Sequence, residues 1–125
     1  MTQGSLSSLR YTISEDLCPA EYREDLQVTI REALGQALTV APGKRYVVRG
    51  DYVSDTRSIG RLCLSSHGRS QGKPAEIRQG RGQFEVTADV LNVTPGKEDI
   101  LDLILFDQQG KELGVRMRLN LKTNG

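Results

Sequence analysis

The sequence predicts an all-β fold, an antiparallel sandwich of about eight strands with at most one short helix near residues 19–25. Three observations lead there. Phe84-Glu85-Val86-Thr87-Ala88-Asp89-Val90 alternates apolar and polar side chains, the period of a strand with one face buried. Short apolar segments then recur along the chain, separated by clusters of Gly, Pro, Asp, Asn and Ser. Finally, Val40-Ala41-Pro42-Gly43-Lys44-Arg45-Tyr46-Val47-Val48 has a close copy in Val93-Thr94-Pro95-Gly96-Lys97-Glu98-Asp99-Ile100-Leu101. Pro fixes φ and Gly accepts positive φ, so each Pro-Gly is a candidate chain reversal.

The two turns also share their downstream pattern. Each is succeeded by an apolar run, a polar connection (Ser54 to Ser58, then Asp107 to Glu112), and a second apolar run opened by Ile59-Gly60 or Leu113-Gly114. This reads as two turn-strand-turn-strand units. The apolar phase of the copies diverges after the shared glycine, because Leu62 and Leu64 fall opposite Arg116 and Arg118.

Taken in order, residues 9–13 (Leu-Arg-Tyr-Thr-Ile) alternate as a short half-buried strand. Pro19, followed by Glu21 and Glu24, suits the first turn of a helix. Residues 22–34 fit two periods: Tyr22, Leu26, Ile30, Ala33 and Leu34 share a helical face, while Leu26-Gln27-Val28-Thr29-Ile30-Arg31 alternates and is β-branched. The internal copy favours strands over 26–31 and 36–40, since Gly35 to Val40 lies opposite Ala88 to Val93. Residues 46–53 form the next strand, whose Gly50 marks a bulge or a close backbone approach. Residues 59–65 are its partner. Residues 66–82 read as a long Gly/Arg-rich loop, broken by Gly68, Gly72, Pro74, Gly80 and Gly82. Ile100 to Phe106 is apolar on both faces except at Asp102, which places it in mid-sheet. Residues 113–121 alternate and carry an outer cationic stripe of Arg116 and Arg118 beside Asn120.

A chain of 125 residues suits a single domain spanning 1–125, with polar ends at 1–8 and 122–125 that fit a piece of a larger protein. With 17 basic and 16 acidic residues there is no global field to draw it to nucleic acid or an anionic membrane, and no segment suits membrane insertion. Cys18 and Cys63 stand far apart in sequence, and a disulfide and two unpaired thiols are both open. Cysteine usage fixes no compartment; as part of a larger exported protein, an extracellular or periplasmic setting is favoured.

The run Gly35-Gln36-Ala37-Leu38-Thr39-Val40-Ala41-Pro42-Gly43-Lys44-Arg45-Tyr46-Val47-Val48 resembles jelly-roll carbohydrate-binding modules and related galactose-binding-like domains, where a Gln-x-Leu-x-Val strand meets Pro-Gly-Lys-x-Tyr. The resemblance implies a jelly-roll or immunoglobulin-like sandwich, a Tyr packed against it, and glycan as a ligand class. Such modules commonly stack sugars on exposed Trp or Tyr. This chain has no Trp, two Phe and four Tyr.

Catalysis finds little support. The only histidine, His67, has no nucleophile motif around it, and the carboxylates Glu85, Asp89 and Asp102 have ordinary strand-surface positions. One His and two distant Cys make no metal-ligand cluster, and no cofactor motif is present. Arg49-Gly50-Asp51 spells the tripeptide read by integrin-class receptors, but it lies inside a strand pattern rather than at a loop tip. Asn92-Val93-Thr94 fits a glycosylation sequon followed directly by Pro95. The candidate ligand-binding residues are Arg49, Tyr52, His67, Arg69, Lys73, Arg78, Arg81, Arg116 and Arg118. The expectation is a non-catalytic binding or accessory module whose partner is a glycan or another protein domain. Two alternatives are a structural or protein-interaction domain, and polyanion binding through residues 66–82.

Overall fold

The strands that carry most of the core are those with the strongest apolar runs or alternation. In the computed structural model, which describes residues 5–15, 17–55 and 59–122, they become β4 (Arg45–Ser54), β8 (Gly80–Val93) and β9 (Ile100–Asp107). The expected polar ends thus fall partly outside the described residues, at 1–4 and 123–125. The other described elements are β1 (Ser7–Ser8), β2 (Tyr11–Ser14), α1 (Ala20–Asp25), β3 (Leu26–Gly35), β5 (Ile59–Ser66), β6 (Gly68–Gln71), β7 (Ala75–Glu76) and β10 (Glu112–Leu121). Two five-stranded antiparallel sheets result, ordered β1-β3-β4-β8-β6 and β2-β10-β9-β5-β7. Within them, β3-β4-β8-β6 and β10-β9-β5 have the strand order of the ABED and GFC sheets of immunoglobulin-type sandwiches.

Inward side chains of the two sheets meet in one core. Tyr46, Val48, Phe84, Val86 and Ala88 from the first sheet face Leu62, Leu101, Leu103, Leu105, Met117 and Leu119 from the second. Each such buried Leu or Phe contributes about 1.5–3 kcal/mol relative to leaving it in water. β4 and β9 are the middle strands of their sheets, as the two-sided apolar run of β9 leads one to expect.

Both Pro-Gly pairs form β-turns. The Lys44 N–H donates to the Ala41 carbonyl at 3.3 Å and the Lys97 N–H to the Thr94 carbonyl at 3.0 Å, with Gly43 and Gly96 at φ +80° and +86°. The two turns also touch, through the Val40 N–H and the Glu98 carbonyl at 2.7 Å. The duplication goes no further in space. β4 lies in the first sheet and β5 in the second, whereas β9 and β10 are adjacent strands of one hairpin. Asp107 closes the tight turn between β9 and β10 by accepting the Gly110 N–H at 3.1 Å and donating to the Lys111 carbonyl at 2.9 Å.

Other expectations need correction. Ten strands are described where about eight were expected: the one at 36–40 is absent, and the short β1, β6 and β7 are added. Residues 36–40 form no strand, because side chains take the backbone groups a ladder would need. The Tyr46 hydroxyl donates to the Thr39 carbonyl and accepts the Ala41 N–H at 2.8 Å, while the Gln36 Oε1 accepts the Arg45 N–H at 2.9 Å. The residue 66–82 segment is not a loop. β6 pairs with β8, β7 pairs with β5, and β8 itself begins at Gly80. Gly72 sits so close to β8 that a Cβ there would lie 2.0 Å from the Thr87 carbonyl oxygen. This glycine permits backbone contact rather than flexibility. For residues 22–34 the strand reading holds from Leu26, after a short helix where one was expected. Cys18 and Cys63 are free thiols.

Candidate functional site

The outer face of the second sheet gathers the most chemistry. Along β9, Leu101, Leu103 and Leu105 turn into the core, so Asp102, Ile104 and Phe106 point outward. Pairing register sets Asp102 between Arg118 of β10 and Ser65 of β5, Ile104 beside Cys63, and Phe106 beside Glu112.

Asp102 is only 5% exposed. A carboxylate so far from water needs charged partners. The Arg118 Nε donates to Oδ1 at 2.8 Å and Nη2 to Oδ2 at 3.3 Å, while His67 Nε2 lies 2.9 Å from Oδ2 and 3.0 Å from the Arg118 Nη2. The carboxylate holds the Arg118 guanidinium even further above its ordinary pKa. Ser65 joins this cluster to its neighbours, its hydroxyl 3.3 Å from the Ser70 hydroxyl, which also accepts the Ser66 N–H at 3.3 Å.

Next to the cluster a cleft of about 380 Å³ opens between the sheet face and residues 70–74, where the chain crosses from the first sheet to the second. Ile104, Phe106 and Cys63 supply its apolar side; Ser65, Ser70, Lys73 and Glu112 supply polar groups. Burial pushes the Cys63 thiol up, which keeps it protonated near neutrality.

The sequence-predicted residues separate. Lys73 lines this cleft, and His67 and Arg118 meet at Asp102 beside it. Arg49 is on the opposite face of the molecule, pairing with Glu85 at 2.5 Å and Glu32 at 3.0 Å. It belongs to the Arg-Gly-Asp tripeptide, which lies within the central strand β4. Tyr52 is buried, its hydroxyl accepting the Arg78 N–H at 3.2 Å. Arg69 lies on β6, its N–H donating to the Asn92 side chain at 2.8 Å, and Arg81 lies on β8. Arg78 lines a separate cleft with Arg61, Glu76 and Asp107.

Arg116 departs from the expected outer stripe. A register shift between Val115 and Met117 takes it out of the outward row, and it is buried. Its guanidinium donates to the Leu26 carbonyl at 3.0 Å, the Arg23 carbonyl at 3.5 Å and Glu15 at 3.1 Å, tying β10 to the start of β3.

Phe106, Ile104, Ser65, Ser70 and Glu112 escaped the sequence reading as site residues. A signal existed for two of them, since period two places Ile104 and Phe106 on the same face as Asp102. Among the described residues no group of three or more His, Cys, Asp or Glu side chains is placed to hold a metal ion. Comparison with protein-family models, with curated proteins and with solved structures finds no match to this chain.

Proposed function

We propose that the chain is a non-catalytic binding module that holds a hydroxyl-rich ligand of the carbohydrate class against the outer face of its second sheet. The cleft beside Phe106 carries this reading. A sugar ring offers an apolar C–H face and a rim of hydroxyls. Phe106 and Ile104 suit the first, and Ser65, Ser70, Lys73 and Glu112 supply donors and acceptors for the second. At about 380 Å³ the cleft is of a size for a small ligand or one unit of a longer chain. The Asp102 cluster keeps the adjoining strands rigid, which limits the entropy lost on binding.

Polyanion binding is less well supported. Arg69, Lys73, Arg78 and Arg81 lie on different elements, and Arg78 opens onto another cleft. A glycan array probed at two ionic strengths, with the wild type and Phe106→Ala, separates the readings. The expected result is binding of neutral glycans that survives moderate salt and falls at least about tenfold in the variant. Failure to bind any neutral glycan, or binding of sulfated glycans alone with a steep loss in salt, would refute it.

A further inference from the structure

We propose that an extended segment of a partner protein adds to the first sheet along β3, at Val28 and Ile30, and closes one open side of the sandwich. This site is independent of the cleft beside Phe106. In an antiparallel pair, alternate residues turn their backbone groups toward and away from the neighbouring strand. The Asp55 N–H donates to the Asp25 carbonyl, and Leu26 to Ile30 pair with Ser54 to Gly50. The N–H and C=O groups of Leu26, Val28 and Ile30 therefore face away from β4. The Leu26 carbonyl is taken by Arg116. Among the described residues no strand pairs with Val28 or Ile30, because β1 reaches only Gly35 and Leu34, and the Leu9 N–H reaches Ala33.

The opposite layer shows the same gap from its own side. Ile13 of β2 pairs with Leu119, so its side chain lies on the inner face of the second sheet, yet it is 43% exposed. The strand that would face it in the first sheet is the one missing beyond β1. Val28 and Ile30 likewise pack against the core while only partly buried. A row of backbone donors and acceptors beside inward apolar side chains is matched by another backbone with apolar residues at every second position.

Charge specifies the occupant further. The groove at the end of this side is lined by Ile13, Leu17, Glu15, Arg23, Glu24 and Arg116, with Glu15 paired to Arg116, and Glu21 and Asp25 of the adjoining α1 leave this end acidic on balance. The partner segment thus carries Lys or Arg at the end that lies over α1.

A displayed library of random linear peptides, panned against the whole chain, tests this. Selection should enrich sequences that alternate apolar and polar residues and end in Lys or Arg. A synthetic copy of one should slow hydrogen exchange at the Val28 and Ile30 amides. Val28→Pro, which removes an edge donor while sparing the ladder to β4, should weaken its binding at least about tenfold. Ile13→Ser, which alters no backbone group, should weaken it as well, and its thermal unfolding confirms a folded chain if the proline variant does not fold. The proposal is overturned by an absence of enrichment, by protection elsewhere than β3, or by unchanged binding in a folded variant. Self-association that protects the same amides without peptide would also overturn it, by making a second copy the occupant.

Discussion

Replacing Tyr46 with Phe isolates the device that holds the 36–41 segment in place. The ring of Tyr46 is fully buried, and its hydroxyl donates to the Thr39 carbonyl and accepts the Ala41 N–H at 2.8 Å. Phe keeps the ring and its packing but deletes both bonds. A neutral hydrogen bond contributes about 0.5–1.5 kcal/mol net, and an orphaned buried partner costs about 1–3 kcal/mol. Thr39 and Ala41 are only half-buried, so water reaches them and the lower ends apply. The expected loss is therefore about 1–3 kcal/mol, or a fall in Tm of roughly 3–10 °C for a domain of this length. Urea unfolding followed by circular dichroism should show a lower midpoint at unchanged m-value. Hydrogen exchange should show the Ala41 amide losing protection. Tyr52→Phe, which removes one bond at 3.2 Å to the Arg78 N–H, should cost less. A Tyr46→Phe loss below about 0.5 kcal/mol would refute the claim that this hydroxyl keeps residues 36–40 out of a strand, since that is the least a single bond contributes.

Three further outcomes rest on the same geometry. Asp102→Ala leaves Arg118 without its carboxylate and should cost about 2–3 kcal/mol in urea unfolding, below the full range for a buried pair because the Arg118 side chain is 24% exposed; a change under about 1 kcal/mol would contradict it. Burial raises the Tyr46 hydroxyl above 10.0, so the folded chain keeps a proton that the unfolded one releases. That contribution is complete below the unfolded value and is lost as pH rises through the folded one, so wild type should lose stability at alkaline pH more steeply than Tyr46→Phe. Cys18 and Cys63 are unpaired and both pushed up by burial, hence slow to react with a disulfide reagent in the native chain and freely reactive in denaturant; a mass shift on reduction would sink this.

Strands were legible where one face is buried and nothing distant intervenes. β8 announces itself by period two, and β9 in mid-sheet follows from its two apolar faces. Gly35 to Val40 carries an equally strand-like local pattern, but the Tyr46 hydroxyl claims the Thr39 carbonyl and the Glu98 carbonyl takes the Val40 N–H, contacts that need the folded core to exist. Glycine misled in residues 66–82 because a breaker and a close-approach residue look alike in sequence; Gly72 is the second kind. The site was less legible than the fold. Ile104 and Phe106 look like core residues in any strand apolar on both faces, and only the register of β5 and β10 shows that Cys63 and Glu112 stand beside them, with Ser65 beside Asp102. Arg116 fits an outward row by period, and one register shift between Val115 and Met117 removes it.

The most direct test follows amide and side-chain NMR signals while a neutral glycan retained on the array is titrated in. Binding at the cleft predicts the largest shifts at Ser65, Ser70, Lys73 and the Phe106 ring, with β3 and β4 unmoved. Shifts centred on Arg78 and Arg61, or on the outer face of the first sheet around Arg49, would contradict it.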